Sequence, residues 1–464
     1  MSNYRGTIKR LIDEPETFGL LQMKVLTKAI DNGRLDKDVI RKTTLRVLDL
    51  VEGGIYKSAA GEGKIGSLNR YTNAVRQKSY WKYFREVSSS KNKQKDLKRV
   101  VAEGDSWFNH PFLCDILEVL NLENNVSVYS MAYAADWLQN YIYGGEYIEG
   151  LSLIKPDAFL VSGGGNDLLE GQKLGLFIRQ PSYSKSIQCT TDYPDDSDYY
   201  LKILSHFPTN DSELVRGYKY LNKAFISQVK LMIWSYYFMF HNIRKKYKTL
   251  LIITQGYSEA IPAMAAKNLW FSLNYFYKGL LNRLQNNGNW IENPLRNSQI
   301  YDVKDMRCVL KAMIHIFNES LISLAKDGGF DNLVHVDNRG LATSNDWFDE
   351  MHMKSYRNYQ IAKVYSAIIK GDLPPISSYR TTELFSSGAL KADTFIQFFG
   401  RMTTTKNFMN YIKWSLGLFF VVLILLIFCL GIKWQNSFFV FVPLGIELLR
   451  RFILSSYILW NLKN

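Results

Sequence analysis

Short apolar runs alternating with helical stretches constrain this chain more than any other feature. Lys98–Gly104 (KRVVAEG), Val126–Met131 (VSVYSM), Asp157–Gly163 (DAFLVSG), Thr249–Gln255 (TLLIITQ) and Leu333–Asp337 (LVHVD) each read as a buried strand. Between them, apolar residues recur at three- and four-residue spacing. Strands separated by helices pair in parallel, with the helices as crossovers. The expectation is an α/β domain built on a doubly wound sheet of five parallel strands. The carboxyl ends of those strands then share one edge, where open sheets of this kind build their sites.

Four groups of reactive or polar residues fall at those ends. Gly104-Asp105-Ser106 follows the first strand, ahead of a helical stretch with Pro111 near its start. Ala134-Ala135-Asp136 follows the second, and Gly163-Gly164-Gly165-Asn166-Asp167 the third. Asp349 and His352 come after the fifth, just before the helical YRNYQIAKVYSAII. A hydroxyl nucleophile needs a base, and the base needs an acceptor to orient it. Ser106, His352 and Asp349 can fill those roles. The spacing of three from Asp349 to His352 suits a turn that presents both side chains to one site. Candidate donors to an oxyanion are the Ser106 N–H, an N–H near Ala135 and the Asn166 side-chain amide. Taken singly, Asn166-Asp167 reads first as a helix cap, and Asp349 and His352 could be surface residues. No Gly-Lys-Ser/Thr follows the glycines, so a phosphate-binding loop is not expected. His110 lies close to Ser106 in sequence and could line its pocket, and the histidines show no metal-ligand spacing.

These motifs together resemble the SGNH/GDSL-type serine hydrolases. The chain is similar to a bacterial subgroup with GDSWF, KPDAFLVSGGGND and a late DWxxExH, which here runs Asp346 to His352 after Val336-Asp337-Asn338-Arg339-Gly340. The resemblance covers roughly residues 98–370. It implies a flavodoxin-like three-layer α/β/α sandwich and hydrolysis of esters or thioesters without metal or cofactor. One position departs from the family. Ala135 stands where the second block usually carries a glycine. Alanine keeps the N–H, but a left-handed backbone there would suit glycine better.

The rest of the chain divides around that domain. Residues 1–95 read as a helical N-terminal region broken at Asn32-Gly33 and Ala59–Gly66. Its apolar faces are expected to pack on the main domain. Residues 96–370 form the hydrolase domain, with a polar, turn-rich insertion at 170–214. Residues 371–410, which include Pro374-Pro375, read as a linker. In 411–464, Ser415–Ile432 carries no charge and is flanked by Lys413-Trp414 and Lys433-Trp434, the pattern of a transmembrane segment with interfacial anchors. A second apolar stretch, Ser437–Trp460, contains Glu447, Arg450 and Arg451, so a second full span is costly.

The four cysteines are scattered, which excludes a zinc ribbon and a disulfide framework. The net charge of +14 is spread along the chain without a nucleic-acid motif, so no nucleic-acid partner is expected. The first residues, MSNYRGTIKRLIDEPETFGLL, lack the apolar core of a signal peptide. Lys391, Arg401, Lys406 and Lys413 precede the apolar segment. This pattern predicts an inner-membrane anchor with the catalytic domain in the cytoplasm.

The expected function is a membrane-anchored esterase, with a lipase, phospholipase or lysophospholipase acting on the bilayer favoured. A toxin-like or defence role would fit. The alternatives are a deacetylase on a non-lipid substrate and a non-catalytic membrane-associating or pore-forming protein. The terminal regions could also contact a regulatory protein or a second copy of the chain.

Overall fold

A computed structural model describes residues 4–48, 63–88, 97–110, 113–121, 123, 125–179, 210–265, 290–393 and 397. The chain divides into one unit through Leu390 and a second from Lys391 to Asn464. Ser415–Ile432 and Ser437–Trp460 lie outside the described residues.

The first unit is built on one sheet of six parallel strands in the order β2-β1-β3-β4-β5-β6. They are β1 (Lys98–Glu103), β2 (Val126–Ser130), β3 (Ala158–Val161), β4 (Leu251–Gln255), β5 (Leu333–Asp337) and β6 (Ser378–Arg380). The first five are the strands expected from the apolar runs. The sixth corrects the count. Ser-Tyr-Arg is too short and polar to announce itself, yet it pairs with β5 at His335↔Ser378 and Asp337↔Arg380. It lies in the stretch read as linker. Every residue of β3 and β5 is buried, so both faces of the sheet are covered. The chain runs from β1 outward to β2 and returns to β3 on the other side of β1. The reversal in strand order therefore falls between β1 and β3.

Four N-terminal helices precede the sheet: α1 (Tyr4–Asp13), α2 (Leu20–Asp31), α3 (Asp38–Val47) and α4 (Gly63–Ser88). Short helices follow β1 to β3: α5 (Ile116–Leu120), α6 (Leu138–Gly144), α7 (Glu146–Ile154) and α8 (Gly165–Leu169). Next come α9 (Ser212–Tyr218), α10 (Lys223–Lys246), α11 (Glu292–Asn297), α12 (Val303–Asp327), α13 (Ser355–Lys370) and α14 (Thr381–Ser386).

The long helices are capped in the expected way. Asn222 accepts from the Phe225 N–H at the start of α10, and Asp302 accepts from Lys304 at the start of α12. The N-terminal helices pack on the sheet domain rather than standing apart. α1, α2 and α3 lie against α10, where the Trp234 indole donates to Thr27 Oγ1 at 3.2 Å, and α4 lies against β2.

Among the described residues, α12 is long and apolar enough to cross a membrane by length and composition, with 61% of its most apolar window buried in the protein. It packs on β5 and α10 and carries Asn318, which is fully buried and donates to the carbonyl of Tyr257. Those contacts are those of a core helix. The neck of the insertion is described at both ends. Glu170–Phe177 forms a 3-10 helix, and Ile178 bridges Leu221 in antiparallel fashion.

Candidate active site

The turn after β1 begins at Gly104, where a Cβ would come within 2.8 Å of the Phe108 ring and 3.1 Å of the Ser162 carbonyl oxygen. Only glycine lets β1 end this close to β3. The next residue, Asp105, is 1% exposed and holds three elements together. Its Oδ1 accepts from the Trp107 N–H and from Ser162 Oγ at 2.7 Å, and its Oδ2 accepts from the Tyr257 hydroxyl at 2.6 Å. The ends of β1, β3 and β4 are thereby fixed around Ser106. The N–H groups of Phe108 and Asn109 donate back to the Asp105 carbonyl, which closes the turn.

Ser106 Oγ lies 2.7 Å from His352 Nε2, and His352 Nδ1 lies 2.9 and 3.0 Å from the two oxygens of Asp349. A carboxylate only accepts, so Nδ1 carries the proton and Nε2 presents its lone pair to the Ser106 O–H. Asp349 Oδ1 also accepts from the backbone N–H groups of Met351 and His352, at 2.9 and 2.8 Å. The turn is closed by the Phe348 N–H donating to the His352 carbonyl at 2.8 Å. All three side chains are buried, with Ser106 at 8% and His352 at 7% exposure.

Asn166 Nδ2 donates to the carbonyl of Asp136, the residue after Ala135, at 3.0 Å. That bond uses one of the two amide hydrogens. Asn166 lies in α8, and Asp167 Oδ2 accepts from the N–H of Leu138, the first residue of α6, at 3.0 Å. Ser106, Ala135 and Asn166 therefore follow three adjacent strands, β1, β2 and β3. Ala135 has φ +64°, the left-handed conformation that glycine adopts without strain. Gly164, two residues before Asn166, has φ +111° and packs so tightly that a Cβ would meet the Phe317 ring at 2.8 Å.

The loop after β2 is held by a row of amides on α4. Gln77 Nε2 donates to the Ser130 carbonyl at 3.0 Å, Asn73 Nδ2 to Ala132 at 2.9 Å and Asn69 Nδ2 to Ala134 at 3.0 Å. Asn69 Oδ1 also accepts from the Ala134 N–H at 2.8 Å. Four residues of helix rise about 6 Å, and two residues of extended chain about 6.6 Å, so the two rows stay in step. In the same helix Arg76 donates to the Phe108 carbonyl and pairs with Asp115, so α4 also grips the chain beyond Ser106.

Burial dominates the electrostatics beneath the turn. It pushes Asp136 up to about 7 and Asp167 up to about 6, in the second case against the attraction of Lys173. Burial also holds Glu103 well above the usual carboxylate range. Glu350, between Asp349 and His352, is pushed up to about 7 by burial, although it accepts from the N–H groups of Ala263, Ile291 and Glu292.

His110 stands beside the site, with ring centroids of His110 and His352 4.5 Å apart. His110, Asp349 and His352 offer ligand atoms within 4.8 Å of one another, a set that could hold a divalent cation. Both Asp349 oxygens and both His352 nitrogens are, however, engaged in the hydrogen bonds just described. Trp107 and Trp290 flank the His352 ring at 6.1 and 6.5 Å, and Phe348 meets His110. The sequence reading left out the end of β4, Gly256-Tyr257, although the same strand-end rule pointed to it. Nothing local marked Asn69, because its partners are distant in sequence, and Glu350 entered only as the glutamate of the late DWxxExH block.

The fold and this arrangement define an α/β protein with a hydrogen-bonded serine, histidine and aspartate at the carboxyl edge of a parallel sheet. No model of a known protein family matches the chain, and comparison with curated proteins gives no match.

Proposed function

We propose that this chain is a serine hydrolase of the SGNH/GDSL type that cleaves carboxylic esters through an acyl-enzyme. One observation carries the reading. Ser106 Oγ, the His352 imidazole and the Asp349 carboxylate form an unbroken hydrogen-bonded chain with links of 2.7 and 2.9 Å. The strand order 2-1-3-4-5, extended by β6, supports a flavodoxin-like core with the serine at its switch point.

In the proposed reaction, Ser106 Oγ attacks the acyl carbon as its proton passes to His352 Nε2. Asp349 holds Nδ1–H and stabilises the imidazolium. The developing oxyanion is met by the N–H groups of Ser106 and Ala135 and by the second amide hydrogen of Asn166. The intermediate collapses, the bond to the alcohol oxygen breaks, and Nε2 returns its proton to that oxygen. Water then gives a proton to Nε2 and attacks the acyl-serine. The carboxylic acid departs and Ser106 regains its hydrogen.

The aromatic walls at Trp107, Phe348 and Trp290 suit an apolar acyl group. The uncharged run Ser415–Ile432 would keep the chain at a bilayer. We therefore assign the substrate to membrane lipids, phospholipid or lysophospholipid, with the catalytic unit on the cytoplasmic side. A toxin-like or defence role fits that placement. A fluorophosphonate probe should label the wild-type protein and leave Ser106→Ala unlabelled, and His352→Ala should lose ester turnover. A folded wild-type protein that takes no label sinks the hydrolase reading. Mass spectrometry of membrane lipids incubated with wild type and Ser106→Ala tests the substrate, and unchanged lipids would move it to a non-lipid ester.

A further inference from the structure

We propose that Asn69, far outside the motif region, is the positioning residue of the oxyanion site. The inference rests on the hydrolase reading for its functional meaning. A peptide unit is planar and trans, so the Ala134 carbonyl and the Ala135 N–H lie on opposite sides of one rigid plane. Asn69 Nδ2 holds that carbonyl at 3.0 Å, and Asn69 Oδ1 holds the preceding N–H at 2.8 Å. With the oxygen drawn toward α4, the Ala135 N–H is turned away from α4. The bond to the carbonyl also polarises the peptide and strengthens its N–H as a donor.

The clamp supplies what the sequence lacks at this point. Glycine reaches φ +64° freely, but Ala135 does so against its own Cβ. Two bonds from one 2%-exposed amide fix both backbone polar groups of Ala134, the residue just before it. Asn73 and Gln77 hold the two preceding alternate carbonyls, so the whole exit from β2 is set by one face of α4. The N-terminal region then completes the site rather than merely covering the domain.

The test follows Ser106 labelling by a fluorophosphonate in full-length protein, comparing wild type, Asn69→Ala, Ala135→Gly, the double variant and Lys78→Ala, an exposed position on the same helix. Asn69→Ala should label about tenfold more slowly, a partial form of the loss seen when an oxyanion donor is removed. The double variant should recover to within about threefold of Ala135→Gly, because glycine needs no clamp. Lys78→Ala should match wild type. A merely structural role for Asn69 would not be rescued by that glycine. Asn69→Ala at the wild-type rate, or an unrescued double variant, overturns the proposal. If wild type takes no label, the hydrolase reading falls by itself. Hydrogen exchange over residues 131–136 then decides the clamp: faster exchange in Asn69→Ala alone supports it, and unchanged exchange overturns it.

Discussion

At Ala135 two small energies oppose each other. Holding a non-glycine residue in the left-handed region costs about 1–2 kcal/mol. Glycine removes that strain but loosens the unfolded chain by about 0.4–1 kcal/mol. Ala135→Gly should therefore stabilise the protein by roughly 0.5–1 kcal/mol in denaturant unfolding, the difference of those terms. A loss of stability would show that the neighbours, not the backbone, set this conformation. Asp349 can be separated from its backbone role in the same way. An amide in its place can still accept from Met351 and His352, but no longer fixes the imidazole tautomer. Asp349→Asn should lower kcat for ester hydrolysis by about 10³–10⁴-fold with little change in KM. A loss below tenfold would mean that the carboxylate does not act through His352.

Among the elements, α4 carries the largest single expected cost. Arg76 joins a fully buried Asp115 to the Phe108 carbonyl, and its removal leaves that carboxylate without its cation. Arg76→Ala should destabilise by about 3–5 kcal/mol in denaturant titration. A change under about 1 kcal/mol would mean that water replaces the guanidinium. Helices of this kind were legible in the sequence as helices, from their three- and four-residue spacing, but their docking was not. The amides at 69, 73 and 77 look like ordinary solvent-facing polar residues until β2 is placed beside them. β1 to β5 were legible because buried strands are continuous apolar runs. β6 was not, since Ser378, Tyr379 and Arg380 owe their strand state to pairing with β5. Ser106, Asp349 and His352 were legible through their order at strand ends, whereas Tyr257 acts through a contact with Asp105 that no local pattern encodes.

For the whole molecule, the buried carboxyls set how stability follows pH. Asp136, Asp167, Glu103 and Glu350 all bind protons more tightly folded than unfolded. The contribution of Asp136, Asp167 and Glu350 is full below the unfolded carboxyl range, near 4, and is lost as pH rises through about 6–7, and that of Glu103 is likewise lost as pH rises. Asp337 and Asp346 behave oppositely. Burial pushes each up, but Arg339 and Arg357 respectively outweigh it and hold them low, so their contribution disappears in acid. Thermal unfolding should therefore peak near pH 5 and fall toward pH 8, and a midpoint still rising across that interval would contradict the burial of these groups. Removing residues 411–464 should release a folded, fluorophosphonate-reactive chain from membranes, because the unit through Leu390 contains the whole sheet. Continued membrane retention would place the anchor elsewhere.

The bond between Ser106 and His352 spans 246 positions of chain. Synthesis proceeds from the N-terminus, so a growing polypeptide displays the serine long before its base has been made. On the proposed reading, a truncated product that ends short of His352 carries the serine without its base, so activity at a bilayer would begin only with chains that have passed the turn after β5.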